Sequence, residues 1–261
     1  MATGRTVARW TRVYVDGYDM SGVGRAIGPL DEVFDEEETT AFLDTVKTYL
    51  PNTPNVTVGT LNALFDNTVT TGIHTVMQSS GVKRTVLVAK GIRAAPAAGD
   101  PAFGGQFLQS AYHVVGEGGV FVNIPFSGWA QDATHSRYPS AWGQLLHALS
   151  AETGANAAVG FDDYTGAATT KGGYLIYHIT ASNAAGTATI SVDDSATNLN
   201  DAAFAALSGA TSGAIGFASI PAHGIVAIAN TATVRQYLRW QLALAGGMTT
   251  CTFTAAFMRA Y

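Results

Sequence analysis

The stretch that most constrains the fold is the alternating segment from Val7 to Gly22. Val13 and Val15 share one face of an extended strand and Tyr14 lies on the other, because side chains alternate along a strand. Asp16-Gly17 then supplies the positive-φ position of a tight turn, and a second short strand follows. Large side chains occupy both faces, so neither face is expected to be solvated. We therefore predict a hairpin whose first strand packs inward on one face and meets a neighbouring subunit on the other.

Composition limits the class of protein. Of the 261 residues, 47% are apolar and 13% are charged, whereas roughly 25% are charged in an average globular protein. This bias is typical of a surface buried in an assembly, although a β-sandwich with uncharged polar faces would also show it. The net charge of −5 disfavours wrapping of nucleic acid, which requires clustered Lys and Arg. The single cysteine, Cys251, excludes an intrachain disulfide and a Cys-based zinc site. No apolar run predicts a membrane insertion or a secretory signal.

One segment, from Asp31 to Asp44, contains seven acidic residues and no basic residue. Because like charges repel, the segment is predicted to be a solvated, extended loop. Alternatively, it faces the lumen or an adjoining ring of an assembly, where repulsion would let DNA pass without adhering. The candidate residues for inter-subunit or lumen contact are Asp31, Glu32, Asp35, Glu36, Glu37, Glu38 and Asp44.

The first half of the chain is expected to contain strands and a single helix. Ile73, Val76 and Met77 have helical spacing, which predicts an amphipathic helix over residues 70–80 that ends at Gly81. Strands are predicted over residues 46–50, 56–65, 82–89, 103–115 and 119–129.

The second half follows a linker-like stretch at residues 132–140 and is rich in Ala, Thr and Gly. Trp240 shares a strand face with Leu238 and Leu242, so it is expected in a core. One short helical turn is predicted within residues 198–206. Strands are predicted over residues 143–149, 173–180, 186–192, 213–228, 234–244 and 249–258. This alternation predicts an all-β sandwich, and we place the division between the two domains at residues 1–138 and 139–261.

Motifs for catalysis or cofactor binding are missing from the sequence. It has no Gly-x-Ser-x-Gly elbow and no Walker A run, and its six histidines lack the spacing of metal ligands. Asp193-Asp194 with Asn198, Asn200 and Asp201 could hold calcium, but the spacing of a calcium loop is absent and a turn rich in Asx residues is favoured. We expect no enzymatic activity, no cofactor and no metal site.

Two stretches resemble known virion proteins. The segment Val13-Tyr-Val-Asp-Gly-Tyr-Asp-Met-Ser-Gly22 resembles the opening strand of the tail-tube (major tail) proteins of long-tailed bacteriophages. The order of elements over residues 7–132 is similar to the tail-tube fold, in which two packed sheets are flanked by one helix. Residues 234–240 and 253–259 resemble a β-sandwich found in several phage virion proteins. The resemblance implies a mainly β chain, with an N-terminal two-sheet tail-tube-like domain containing one helix and a C-terminal jelly-roll or lectin-like sandwich.

The tail-tube resemblance also implies a function and partners. Copies would assemble into stacked rings, as homohexamers, and form a tube for DNA passage in the virion tail after synthesis in the host cytoplasm. The expected partners are other copies of the chain, tail proteins such as the tape measure and tail terminator, and DNA in transit. Two alternatives remain, namely a head-decorating protein and an adsorption module that binds host polysaccharide. The adsorption module would use aromatic residues such as Tyr164, Tyr174, Tyr237 and Trp240.

Overall fold

The fold was analysed in a computed structural model that describes residues 8–42, 45–92, 94–116, 121–129, 141–156, 160–162 and 168–260. The chain is mainly β, as the sequence predicts. The first half contains β1 (Thr11–Val15), β2 (Tyr18–Asp19), β3 (Gly24–Gly28), β4 (Asp31–Glu38), β5 (Tyr49–Thr57), β6 (Gly59–Leu64), α1 (Ile73–Met77), β7 (Val82–Lys90), β8 (Pro101–Gln109), β9 (His113–Val115) and β10 (Phe121–Trp129).

The second half contains strands with three-residue helical turns between some of them. The strands are β11 (Trp142–Glu152), β12 (Phe161–Asp162), β13 (Gly173–Ser182), β14 (Thr187–Ser195), β15 (Ala205–Thr211), β16 (Ile215–Gly216), β17 (Ala222–Ala227), β18 (Tyr237–Ala245) and β19 (Cys251–Arg259). The 3₁₀ turns in the described chain are Ala8–Trp10, Asp201–Ala203 and Phe217–Ser219. No helix in the described ranges is long and apolar enough to cross a bilayer.

The first half is a curled antiparallel sheet around one apolar core. The strands follow the path β2-β1-β7-β8-β10-β6-β3 through neighbouring ladders. Side chains from β1 at one end and from β6 near the other end join the same buried cluster, so the sheet curls around it. Helix α1 adds two fully buried side chains to this core, Ile73 and Met77.

The second half is a sandwich of two sheets. Strands β17, β13, β19 and β11 form one layer, and β12, β18, β14 and β15 form the other. The buried core between them includes Leu175, Ile190, Trp240, Leu242 and Phe253. Trp240 lies in this core together with Leu238 and Leu242, as predicted from the strand alternation.

A single twelve-stranded sheet connects the two halves. Strand β8 pairs with β7 and β10 of the first half and with β11 of the second half. A third apolar cluster lies at this junction and combines Tyr14 and Leu87 with Tyr174, Ile176 and Met258. Separate folding of residues 1–138 and 139–261 stays a prediction.

The opening hairpin is confirmed, but its second face has a different partner from the one expected. Asp16 and Gly17 have φ values of 49° and 88°, and Val13 and Val15 point into the core of the first half. Tyr14, on the other face, packs in the junction cluster against the second half of the same chain. The expectation that this face meets a neighbouring subunit is therefore wrong, because the folded chain itself covers it.

Other predicted elements differ from the structure. The strand predicted over residues 103–115 is divided into β8 and β9, the strand predicted over residues 56–65 is divided at Val58 between β5 and β6, and the opening strand is preceded by the 3₁₀ turn Ala8–Trp10. The helix is limited to Ile73–Met77 because Thr70 has a φ of 71° and Gly72 is extended without a capping side chain. The strand predicted over residues 213–228 is interrupted by the turn Phe217–Ser219, just before Pro221, which lacks the N–H that a ladder requires. Strand β15 was not predicted because Ala205–Thr211 contains few β-branched residues.

Candidate assembly interface

The acidic segment forms a two-stranded hairpin and not the predicted loop. Strand β4 pairs with β5 from Asp31↔Thr57 to Glu38↔Tyr49. The prediction of a loop was wrong because β5 contains no acidic residue. The six acids of β4 therefore have uncharged cross-strand neighbours, and the two backbones can pair. We call β4 and β5 the arm. Asp44 lies outside the described residues.

The path of β5 also differs from the prediction. A strand over residues 46–50 that ended at Pro51 was expected, whereas β5 runs through both Pro51 and Pro54. Proline is tolerated in a strand that has a free edge, and β5 pairs with β4 alone among the described strands. The register shifts between Phe34 and Glu36, whose partners in β5 are the two prolines.

The arm is anchored at its base and exposed along the rest of its length. At the base, Val56 is buried in the core of the first half, and a carboxylate oxygen of Glu32 accepts the Ala141 N–H at 3.3 Å. Burial raises the pKa of the Glu32 carboxyl. Farther out, Glu38 forms an ion pair with Lys47 at 2.9 Å. Within the described part of the chain, no other acid of the arm is in an ion pair.

Large apolar side chains are exposed on the arm beside the acids. Val33 is 55% exposed, Tyr49 is 48% exposed and Leu50 is 59% exposed. Val46 and Phe42, in the connection between the two strands, are exposed as well. Isolated apolar residues at a surface are common, but a group of them on one exposed hairpin marks an interaction site. An isolated two-stranded hairpin is also marginally stable in water, so this arm is suited to be completed by a partner.

A polar network at the junction was not predicted from the sequence. The Asp16 carboxylate accepts the Arg84 guanidinium at 2.9 Å and the Thr85 N–H at 2.8 Å. The Gly17 N–H donates to Nδ1 of the fully buried His178 at 3.0 Å. His223, the cross-strand neighbour of His178, contacts Thr85 through Nδ1 at 2.9 Å. Asp16-Gly17 was interpreted only as a turn, since a pairing of residues so distant in sequence leaves no local signal.

The oxygen-rich turn of the second half is occupied by arginines. Asp193 accepts the buried Arg239 guanidinium at 2.9 Å, and Asp201 pairs with the same group. The Asp194 carboxylate accepts a hydrogen bond from the backbone N–H of Arg235 at 2.8 Å. These contacts account for three of the five residues considered as calcium ligands. No group of residues that could hold a metal ion occurs in the described ranges.

A cluster of His147, Ser150 and Glu152 has the residue types of a hydrolytic triad but lacks its geometry. His147 Nδ1 contacts the Phe253 carbonyl oxygen at 3.0 Å, so this nitrogen is not available to an orienting carboxylate. Nε2 contacts both Glu152 at 3.0 Å and Ser150 at 3.2 Å. The Ser150 hydroxyl donates to Glu152 at 2.9 Å. The imidazole also stacks on the Phe253 ring, and burial lowers its pKa. This arrangement is typical of a structural network, and the absence of enzymatic activity stays a prediction.

The aromatic residues considered for polysaccharide binding are poorly placed for it. Tyr174 is 4% exposed and Trp240 is 8% exposed, so neither ring offers a face to a sugar. Tyr237 is half-buried and Tyr164 lies outside the described residues. Among the described residues, this set does not form an exposed stacking platform.

Comparisons with known proteins do not identify the chain. No protein-family model and no curated protein match it. The crystal structure of the Dit protein (gp 19.1) of phage SPP1, described as a paradigm of the hub adsorption apparatus in phages that infect Gram-positive bacteria, is similar over 95% of this chain and 98% of that chain. The two share 10% identical residues and a TM-score of 0.32, which is too low to carry an argument about fold or function.

Proposed function

We propose that the chain is a structural subunit of a bacteriophage tail that assembles with copies of itself, in the manner of a tail-tube protein. Two supports are independent of each other. The segment Val13–Gly22 resembles the opening strand of tail-tube proteins, and the described part of the first half is mainly β with one short α-helix. The arm supplies the second support, since it exposes apolar surface that none of the described residues covers.

The observation that carries the proposal is that the arm combines exposed apolar side chains with acids such as Glu36 and Glu37, which have no ion-pair partner among the described residues. A solvated acidic loop would be expected to lack residues such as Val33 and Leu50, which are more than half exposed. Burying an apolar side chain gives roughly 1.5–3 kcal/mol, which a free monomer does not gain at these positions. Contact with another subunit would recover this free energy, while the acids would restrict the choice of partner.

The finer features of the proposal follow from the resemblance. Rings of six copies would stack into a tube in the virion tail, with the tape measure and tail terminator as further partners. DNA would pass through the lumen without being bound, which agrees with the net charge of −5.

The test compares assembly of the full chain with that of variants matched in chemistry. Val33→Ser with Leu50→Ser removes apolar groups from the arm, and Leu199→Ser with Phe217→Ser removes exposed groups of the second half. Light scattering after gel filtration, with negative-stain imaging, should show rings or tubes for the wild type and for the second variant only. A wild type that stays monomeric at high concentration would contradict the proposal. Equal assembly of both variants would exclude the arm as its cause.

A further inference from the structure

One edge of the large sheet is open and has a cavity beside it. Strand β3 is the last strand of its path and pairs with β6 alone among the described strands. A cavity of about 310 Å³ lies between β3 and β1, with Val13 and Leu61 in its lining. A second cavity, of about 430 Å³, lies over β6 on the paired side of β3, with Asn62 and Phe121 in its lining. A strand added to such an edge places alternate side chains on either side of the sheet, and the cavity between β3 and β1 can receive those on one side.

The charge of this edge is positive. Arg25 lines both cavities, and Lys90 lines the one between β3 and β1. Among the residues that the structure describes, no acid lines either cavity, and neither cation is in an ion pair. The Arg25 guanidinium lies over the Phe121 ring at 5.0 Å from its centroid. Partial burial lowers the pKa of the Lys90 ammonium, so a carboxylate beside it would offset the cost of its desolvation.

The arm of the same chain has the complementary chemistry. Glu36 and Glu37 are exposed acids on adjacent positions of β4, and they lie on opposite faces of the hairpin because side chains alternate. Leu50, the cross-strand neighbour of Glu37, adds apolar surface to one of these faces. Among the described residues, no acid of the arm forms an ion pair with Arg25 or Lys90. Its natural counterpart is therefore the corresponding edge on another copy.

We propose that the β3 edge, with Arg25 and Lys90, receives the β4–β5 arm of a second copy. This inference rests on the proposed function and specifies its contact. Because the arm and the receiving edge are different surfaces, each copy offers one and accepts the other. Such a heterologous contact closes into a ring or continues as a helical filament. Phage DNA, which is an anion, is the rival occupant of the same positive edge and becomes an outcome of the test.

The test reverses the charges of the two surfaces separately and then mixes the variants. Arg25→Glu with Lys90→Glu gives the edge the same charge as the arm, and Glu36→Lys with Glu37→Lys gives the two contacting positions of the arm the same charge as the edge. We expect each variant alone to need about tenfold or more higher concentration for assembly than the wild type. An equimolar mixture should assemble again, because the acidic arm of one variant meets the basic edge of the other. Lys171→Glu, on the second half, serves as a control that should assemble normally.

The outcomes separate this inference from the proposed function. A wild type that does not assemble contradicts the proposed function and the inference with it. Two outcomes overturn the inference alone. The first is normal assembly of the Arg25→Glu, Lys90→Glu variant. The second is a mixture that stays monomeric when neither variant assembles by itself. Circular dichroism verifies folding, and Arg25→Gln with Lys90→Gln replaces the first variant if its two new carboxylates prevent folding. The wild type could also retain DNA, and the Arg25→Gln, Lys90→Gln variant could lose this retention while it still assembles. That result would assign the edge to DNA and overturn the inference.

Discussion

The chain contains two groups of acids that look alike in sequence and differ in three dimensions. In the sandwich, Asp193 and Asp201 both meet the buried Arg239 guanidinium, and Gln241 donates to Asp193 at 2.9 Å. The arm has six acids, and among the described residues only Glu38 is in an ion pair, with Lys47. The acids of the sandwich are paired with a cation from a distant strand, whereas the arm acids other than Glu38 are in no ion pair within the described part of the chain.

This difference assigns the two groups to different levels of organisation. The Arg239 cluster is a property of one subunit, so its loss should affect folding. The arm is proposed as a property of the assembly, so its loss should affect association and leave folding nearly unchanged. The variants below can break or refine this distinction, and they are ordered by the expected effect on the stability of the single subunit.

The largest effect is expected from Arg239→Met in the sandwich. The Asp193 side chain, 14% exposed, would then be nearly buried without its cation, and breaking a buried pair costs about 3–5 kcal/mol. Urea unfolding should show this loss. The matched variant Arg235→Met removes a half-exposed guanidinium 3.7 Å from Asp194 and should cost about 0–1 kcal/mol. Equal losses would show that burial does not distinguish the two arginines.

The second effect concerns the turn at the junction. Gly17 has a φ of 88°, and a Cβ there would lie 2.8 Å from the Ala222 backbone nitrogen. Gly17→Ala should therefore destabilise the subunit by about 1–3 kcal/mol or more. Gly209 has a similar φ of 83° with no neighbour within 4 Å of its Cβ position, so Gly209→Ala isolates the backbone strain. If both variants lose the same free energy of unfolding, close approach at the junction is not important.

A smaller effect is a dependence of stability on pH through His178. Burial, and then the charge of His223, holds the pKa of His178 well below its ordinary value of 6.5. The unfolded chain would bind a proton at His178 more readily than the folded chain. The free energy of unfolding is therefore unaffected by His178 above pH 6.5 and decreases as the pH falls below 6.5. The slope is at most about 1.4 kcal/mol per pH unit for one group.

His178→Gln should reduce this slope, because an amide oxygen can accept the Gly17 N–H without titrating. The buried His147, whose pKa is also lowered by burial, should account for a remaining slope of the same sign. His113→Gln, at an exposed position on β9, is the control. Melting temperatures from pH 5 to 8 that have the same slope in the wild type and His178→Gln would contradict this role.

The smallest effect on the subunit is expected from charge reversal on the arm. Glu36→Lys, Glu37→Lys and Glu38→Lys change exposed side chains, and such substitutions alter stability by roughly 0.5 kcal/mol or less. Assembly should nevertheless weaken, or DNA should adhere to the assembled protein. A large fall in the melting temperature of the unassembled subunit would show that the arm belongs to its fold. Unchanged assembly and unchanged DNA retention would show that the charge of the arm has no role.

Local patterns were sufficient to predict most of the strands, including β7, β13 and β19, where β-branched and aromatic residues alternate. The turn was also predicted from a local pattern, the pair Asp16-Gly17, and the core position of Trp240 was predicted from the alternation of its strand. Patterns of charge were less informative. Repulsion among the β4 acids predicted a loop, but the backbone ladder with an uncharged partner strand outweighs it.

Long-range pairing explains the features that the sequence did not predict. The ladder between β8 and β11, the contact of Gly17 with His178 and the pairing of Arg239 with Asp193 each join residues that are far apart in the chain. The exposure of Val33 and Leu50 was also not predictable, since an apolar residue in a strand is normally expected in a core.

Hydrogen exchange of the arm amides tests most directly whether the arm serves the assembly. In the dilute subunit, peptides from β4 and β5 should exchange quickly, because a two-stranded hairpin exposed to water opens easily, while β13 and β19 should be protected. In the assembled protein, the arm peptides should become as protected as those strands. Protection of the arm that is already complete in the single subunit, or that does not change on assembly, would contradict the account.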